Sequence, residues 1–225
     1  MSRGKTYEGE AVDIRFEPRR CIHSGNCVRG LGAVFQPGRK PWIDANGASA
    51  DEIARVVARC PSGALSMRRR DGAPEEEPDE RVSVRVVPNG PVHVRGDLTV
   101  EIPDESEPVR ETRVALCRCG QSSNKPFCDN SHQEAGFVGS DLRELPERAV
   151  SEPPEPAGAT LSPRANGCLF IDGTVRFTAA DGSVGWIARP ALCRCGRSDT
   201  KPFCDGSHKD ESHPDGPFVS PGPAL

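Results

Sequence analysis

The chain has 225 residues, a formal charge of −4, and 35% hydrophobic but only 5% aromatic residues. Mild net acidity argues against nucleic acid as the main partner, and no run of about 18 apolar residues offers a membrane-spanning helix. With 23 glycines and 22 prolines, the composition suits small loop-rich domains that need staples, and ten cysteines can supply these as metal ligands or disulfides.

The first stretch, MSRGKTYEGEAVDIRFEP, carries no apolar segment of the kind that directs secretion. The expected location is therefore cytoplasmic, where thiols stay reduced and clustered cysteines read as metal ligands. AVDIRFEP (11–18) alternates as a strand and runs into Cys21, with Cys27 shortly after. ASADEIARVVARC (48–60) predicts a helix with Ser49 as N-cap and Glu52 three residues on, the capping-box arrangement. Ile53, Val56 and Val57 give it one apolar face; Pro61 stops it, and SGALSM (62–67) returns as a strand. The run Arg68-Arg69-Arg70 is expected to be a solvated loop. Residues 9–70 thus form a compact α+β unit.

Two acidic, proline-rich stretches, DGAPEEEPDE (71–80) and PERAVSEPPEPAG (146–158), read as linkers. They set off two further units, 82–145 and 160–220, which repeat one another. CRCGQSSNKPFCDNSH (117–132) and CRCGRSDTKPFCDGSH (193–208) agree at 12 of 16 positions. Ahead of each lies an Asn-Gly pair (89–90 and 166–167) and then β-rich sequence: VHVRGDLTVEI (92–102), and CLFIDGTVRF (168–177) around an Asp-Gly hairpin turn. These predict a small antiparallel scaffold under each loop. Cys168, remote from the other cysteines in sequence, reads as a small buried hydrophobe, and His93 as structural or exposed.

Within each repeated loop the spacing is Cys-x-Cys-x8-Cys-x3-His. The candidate ligands are Cys117, Cys119, Cys128 and His132, then Cys193, Cys195, Cys204 and His208. Three thiolates and an imidazole suit tetrahedral zinc or a [2Fe–2S] cluster, and the tight Cys-x-Cys pair favours two ligands on one iron of a cluster.

These loops closely resemble the CDGSH iron–sulfur family, to which mitoNEET belongs. Residues 204–208 spell that signature, and residues 128–132 depart from it only at Asn130, a residue that tolerates a left-handed backbone. The resemblance implies one [2Fe–2S] cluster per repeat, with three Cys and one His ligand. It also implies that the repeats pair within the chain about a pseudo-two-fold axis, giving a monomer. On this reading Pro126 and Pro202 stiffen the approach to the third cysteine, and Asp129 and Asp205 cap a short helix facing the cluster. Arg118 and Arg194 either offset cluster charge or are solvated surface charges.

In the first unit, Cys21-Ile22-His23-Ser24-Gly25-Asn26-Cys27 with the remote Cys60-Pro61 resembles a divergent single-cluster ferredoxin, with Ser24 where a middle cysteine would stand. That resemblance implies a ferredoxin-like fold holding a [3Fe–4S] or [4Fe–4S] cluster through Cys21, Cys27 and Cys60, with His23 the candidate fourth ligand. The expected fold class is α+β: a ferredoxin-like domain, then two β-rich repeats. The expected function is electron transfer or redox sensing by a three-cluster protein that is not an enzyme, since no catalytic triad, phosphate loop or dinucleotide fingerprint occurs. Alternatives are a cluster store delivering [2Fe–2S] to apo-proteins and, from a different class, a structural zinc protein. The partner would be a redox protein or an apo-protein acceptor.

Overall fold

The computed structural model describes residues 4–103, 105–213 and 217–219. Residues 104, 214–216 and 220, on which parts of the expected second and third units fall, lie outside the described residues. The chain divides into two compact units, Met1–Glu77 and Pro78–Leu225. Among the described residues no helix is long and apolar enough to cross a membrane.

In the first unit, β1 (Lys5–Tyr7), β2 (Val12–Phe16) and β3 (Leu65–Arg69) form an antiparallel sheet in that order. Helix α1 (Asn26–Gly30) follows the first cysteines, and α2 (Ala50–Val57) packs on β3. The predicted apolar face of α2 is buried: Ile53, Val56 and Val57 share a core with Ile14, Phe35 and Leu65. Ser49 Oγ accepts from the Glu52 N–H, while the Glu52 carboxylate accepts from the Ser49 N–H, so the capping box is closed. Losing that cap in Ser49→Ala should cost about 1 kcal/mol. The check is the urea midpoint, which should fall with no change in slope.

The arginine run is exposed at Arg68 and Arg70 as its charge density predicts, but it is not a loop at Arg68 and Arg69 and its charges are paired. Arg68 and Arg69 belong to β3, and Asp13, buried on the facing strand β2, receives Arg68 and Arg70 at 2.9 Å each. Arg69 pairs with Asp51 at 2.8 Å and Asp71 at 2.6 Å. The Arg68 guanidinium is the main reason that the Asp13 carboxyl titrates below its usual range. Of the acids that fix these arginines, Asp71 follows directly, but Asp13 of β2 and Asp51 of α2 lie beyond any short sequence window.

The second unit is built on one eight-stranded sheet: β4 (Ser83–Val86), β5 (Val92–Val100), β6 (Val109–Leu116), β7 (Ala159–Pro163), β8 (Leu169–Asp172), β9 (Thr174–Thr178), β10 (Val184–Ala188) and β11 (Ala191–Leu192). β5 carries β6 along one edge. Its other edge is shared, with β4 antiparallel at residues 92–95 and β7 parallel at 98–100. β8 and β9 repeat the arrangement, with β7 and β4 on one edge and β11 and β10 on the other. The first strand of each repeat therefore hydrogen-bonds to both repeats. One core results, with Val84, Val94 and Leu98 of the first repeat buried against Leu161, Ile171 and Phe177 of the second.

Two expectations change here. The sheet is mixed rather than antiparallel, because the β4–β9 and β5–β7 pairs run parallel across the repeats. Asp172-Gly173 is not a hairpin turn either: β8 and β9 pair with other strands and not with each other. Gly173, at φ 150°, bends one long strand, as Gly96 at φ 136° does in β5. A Cβ on Gly96 would stand 2.8 Å from Val82 Cγ2, so that bend needs glycine.

Candidate metal centres

In each repeat a strand delivers the first cysteine. β6 ends at Leu116 and leads into Cys117; β11 ends at Leu192 and leads into Cys193. The loop then doubles back, so that Cys117 N donates to Pro126 O at 2.9 Å and Cys193 N to Pro202 O at 2.8 Å. Those prolines thus anchor the return limb directly. Ser122 Oγ and Ser198 Oγ close the loops by donating to the Phe127 and Phe203 carbonyls, both at 2.7 Å. Asn130 adopts φ 77° beside φ 95° for Gly206, so the one departure from the signature keeps the left-handed turn.

The donors stand in pairs. Cys117 and Cys119 sulfurs are 3.8 Å apart, and Cys193 and Cys195 are 3.7 Å apart. Cys128 Sγ lies 3.4 Å from His132 Nδ1, and Cys204 Sγ lies 3.4 Å from His208 Nδ1. Two sulfurs each about 2.3 Å from one tetrahedral metal would be about 3.8 Å apart, and a sulfur–nitrogen pair about 3.6 Å. Each pair can therefore clasp one metal. Among the described residues no three His, Cys, Asp or Glu groups stand together around one ion position.

Electrostatics divide the members of each thiol pair. The hydrogen bond shared with Cys119 draws Cys117 down to about 6 and pushes Cys119 up; Cys193 falls to about 6 while Cys195 rises for the same reason. Burial pushes Cys128 up to about 12 and lowers both His132 and His208. The imidazoles are thus kept neutral, as ligands must be. Backbone N–H groups of Gln121, Asn130 and Arg197 point at the sulfurs of Cys119, Cys128 and Cys195 at 3.4–3.5 Å. Asp129 and Asp205 tie the loops rather than cap a helix. Asp129 Oδ1 accepts from Ser131 N–H and Oδ2 from Ser123 N–H, and Asp205 does likewise with Ser207 and Asp199.

Arg118 and Arg194 are each 1% exposed, which rules out a solvated surface charge. Arg118 donates to four carbonyls, those of Gly90, Ser140, Val87 and Gly139, at 2.8–3.1 Å. Each guanidinium also feels the other repeat's first cysteine, Arg118 that of Cys193 and Arg194 that of Cys117. The loops themselves touch: a Cβ on Gly120 (φ 84°) would stand 2.6 Å from the Cys195 carbonyl oxygen, and one on Gly196 2.7 Å from that of Cys119. Only glycine permits this approach.

The first unit gathers Cys21, Cys27 and Cys60 at the border of its core. Burial raises Cys21 and Cys27, and the charge of Cys60 raises both further, so the three thiols are close enough to act on one another. Asn26 Nδ2 donates to Arg59 O at 2.9 Å and Arg20 Nη2 to Ser62 O at 2.9 Å, joining the early loop to the Cys60 turn. His23 is exposed at φ 51°, and its backbone N–H faces the Cys21 sulfur.

Two residues near the second unit's centres carried no signal at their own position. Lys125 donates to Ser122 O at 2.5 Å and sits in the field of Cys117 and Cys119. Its only trace was the Lys-Pro-Phe shared by both loops. Cys168 is not remote from the second loop: burial, and after it the charge of Cys204, raise its pKa. Thirty-odd residues of intervening chain hid that neighbour.

The family described as a divergent 4Fe-4S mono-cluster matches residues 7–70. The family described as an iron-binding zinc finger of CDGSH type matches twice, at residues 89–133 and 166–209. The chain is similar to uncharacterized protein YjdI of Escherichia coli K12, with 44% identity over 66 residues, 29% of this chain and 87% of the relative. The YjdI of Escherichia coli O157:H7 matches to the same extent. No solved structure matches. With thiol and imidazole pairs at metal-binding separation inside both CDGSH-type segments, the chain is an iron–sulfur protein that belongs to the divergent 4Fe-4S mono-cluster family and carries two CDGSH-type domains after that segment.

Proposed function

We propose that the protein transfers electrons or senses redox state through three iron–sulfur clusters. The observation that carries this reading is the pairing of donors in both repeats, 3.7–3.8 Å between thiols and 3.4 Å between thiol and imidazole. Paired donors suit two irons. Cys117 with Cys119, and Cys193 with Cys195, would hold one iron of each [2Fe–2S] cluster; Cys128 with His132, and Cys204 with His208, would hold the other. Bound clusters supply one-electron chemistry, and an imidazole ligand raises the potential above that of an all-thiolate site. Cys21, Cys27 and Cys60 would hold a [3Fe–4S] or [4Fe–4S] cluster.

The protein's own part is to set the thiols in pairs, keep the histidines neutral and surround the sulfurs with N–H donors and two buried guanidinium groups. No step here requires a substrate, and the protein is read as a carrier rather than an enzyme. Strands exchanged between repeats, and glycines that let the two loops touch, support an internal pseudo-two-fold pair and a monomeric chain. The half-buried His132 and His208 favour a second reading, release of a cluster to an apo-protein. An acceptor that gains cluster faster than the protein loses it unaided would establish that reading.

The test is iron and sulfide analysis with EPR on anaerobically purified protein. About seven or eight irons per chain are expected, four of them from the two repeats. Four irons without a three- or four-iron signal would remove the cluster of the first unit. Zinc in place of iron would remove the whole proposal.

A further inference from the structure

Each candidate ligand histidine is followed by a phenylalanine that turns back onto its own loop. Phe137 stands five residues after His132, and Phe218 ten residues after His208. Although the returns differ in length, both end on the same two contacts. The Phe137 N–H donates to the His132 carbonyl at 3.0 Å, and the Phe218 N–H to the His208 carbonyl at 2.9 Å. The Phe137 ring lies over the Arg118 guanidinium at 5.2 Å, and the Phe218 ring over that of Arg194 at 5.9 Å.

Those arginines are the middle residues of the two Cys-x-Cys pairs. One phenylalanine therefore spans both halves of its donor set, with its backbone fixed to the imidazole end and its ring to the dithiol end. In the first repeat the ring is also wedged against Gly139, where a Cβ would stand 2.9 Å from Phe137 Cζ and 3.2 Å from Arg118 Nη2. In the second, Phe218 is 6% exposed and forms one apolar cluster with Cys193 and Cys195. A ring stacked on a desolvated cation is held more firmly than one on a solvated cation. Apolar cover of this kind also governs how water reaches the sulfurs.

We propose that Phe137 and Phe218 are positioning residues: each straps the histidine end of its loop to the Cys-x-Cys end and so holds the two donor pairs as one site. This rests on the cluster reading above. Both act through other residues, the backbone of the histidine on one side and the arginine on the other. The straps set how firmly each cluster is kept, and Phe218 also covers the second dithiol pair. In an alanine variant the N–H donor stays but its anchor on the guanidinium is lost, so the histidine end of the loop leaves the dithiol end more often.

The experiment follows iron loss to a strong chelator at neutral pH in the full chain, for wild type, Phe137→Ala, Phe218→Ala, Phe137→Tyr and Phe218→Leu. Each alanine variant should release about two of the repeat irons roughly tenfold faster, with a changed EPR signal for that cluster and an unchanged one for the other repeat. Phe137→Tyr, which keeps the stacked ring, should release iron as wild type does. A second arm needs no cluster: the full chain stripped of metal is treated with iodoacetamide, and the modified cysteines are located by mass spectrometry. Cys193 and Cys195 should react severalfold faster in Phe218→Ala than in wild type, with Cys117 and Cys119 unchanged. Phe218→Leu, which keeps apolar bulk over the dithiol pair, should protect them. Wild-type release rates in both alanine variants, or faster loss from both repeats alike in each, would overturn the straps. Equal alkylation of Cys193 and Cys195 in wild type and Phe218→Ala would overturn the covering by Phe218. Wild type without repeat irons would overturn the cluster reading instead, and alkylation would still decide whether Phe218 closes the second site.

Discussion

Arg118→Leu should lower stability by about 3–5 kcal/mol, because a buried charge is lost while the groups that it satisfied stay behind. The carbonyls of Val87, Gly90, Gly139 and Ser140 would all lose a charge-assisted donor, and the Asn-Gly turn would lose its tie to the chain after the loop. The melting midpoint should drop by roughly 10 °C. Lysine should rescue little, since one ammonium cannot span the positions that the planar guanidinium fork reaches. Arg194→Leu should cost markedly less, because among the described residues that side chain holds the Arg164 carbonyl and its Nε and Nη1 have no hydrogen-bond partner. Equal losses for the two variants would show that the carbonyl contacts are not what makes Arg118 structural.

Acid should strip the first repeat's cluster through His132, and His132→Cys should prevent it. Burial lowers the pKa of this imidazole below its ordinary value of 6.5, so the ligating, neutral form dominates above that pH and is lost as pH falls through the lowered value. While the neutral form still dominates, the bleaching rate should rise by up to about tenfold per pH unit. A cysteine in its place has no such protonation step near neutrality, and first-site bleaching at mildly acid pH should slow by about tenfold or more. The same substitution should lower that cluster's potential. Visible absorbance followed at several pH values checks both outcomes. If His132→Cys bleaches in acid as fast as wild type, His132 is not the labile ligand.

The local signals were strong wherever the chemistry is local. The capping box at Ser49 and Glu52, the apolar face of α2 and the alternation of β5 all depend on neighbours within a turn or a strand, and each stands as its pattern predicted. The paired donors were legible for the same reason, since a 16-residue loop must bring its own ends together. The Asp-Gly step at 172–173 misled because hairpin and bend use the same residues; strand partners from elsewhere in the chain decide between them. Arg68–Arg70 misled likewise, their acids being supplied largely by other elements.

By itself the sequence determined the candidate ligand types, their spacing and the duplicated loop, because all of these are short-range properties of the chain. Tertiary structure alone decided that β4 and β7 pair across the repeats, that Arg118 and Arg194 are buried within the field of the opposite repeat's first cysteine, and that Cys168 lies in the field of Cys204. These are contacts between residues tens of positions apart. They exist because two half-sheets, each unable to bury its apolar face alone, close one core together and bring both loops to the same place.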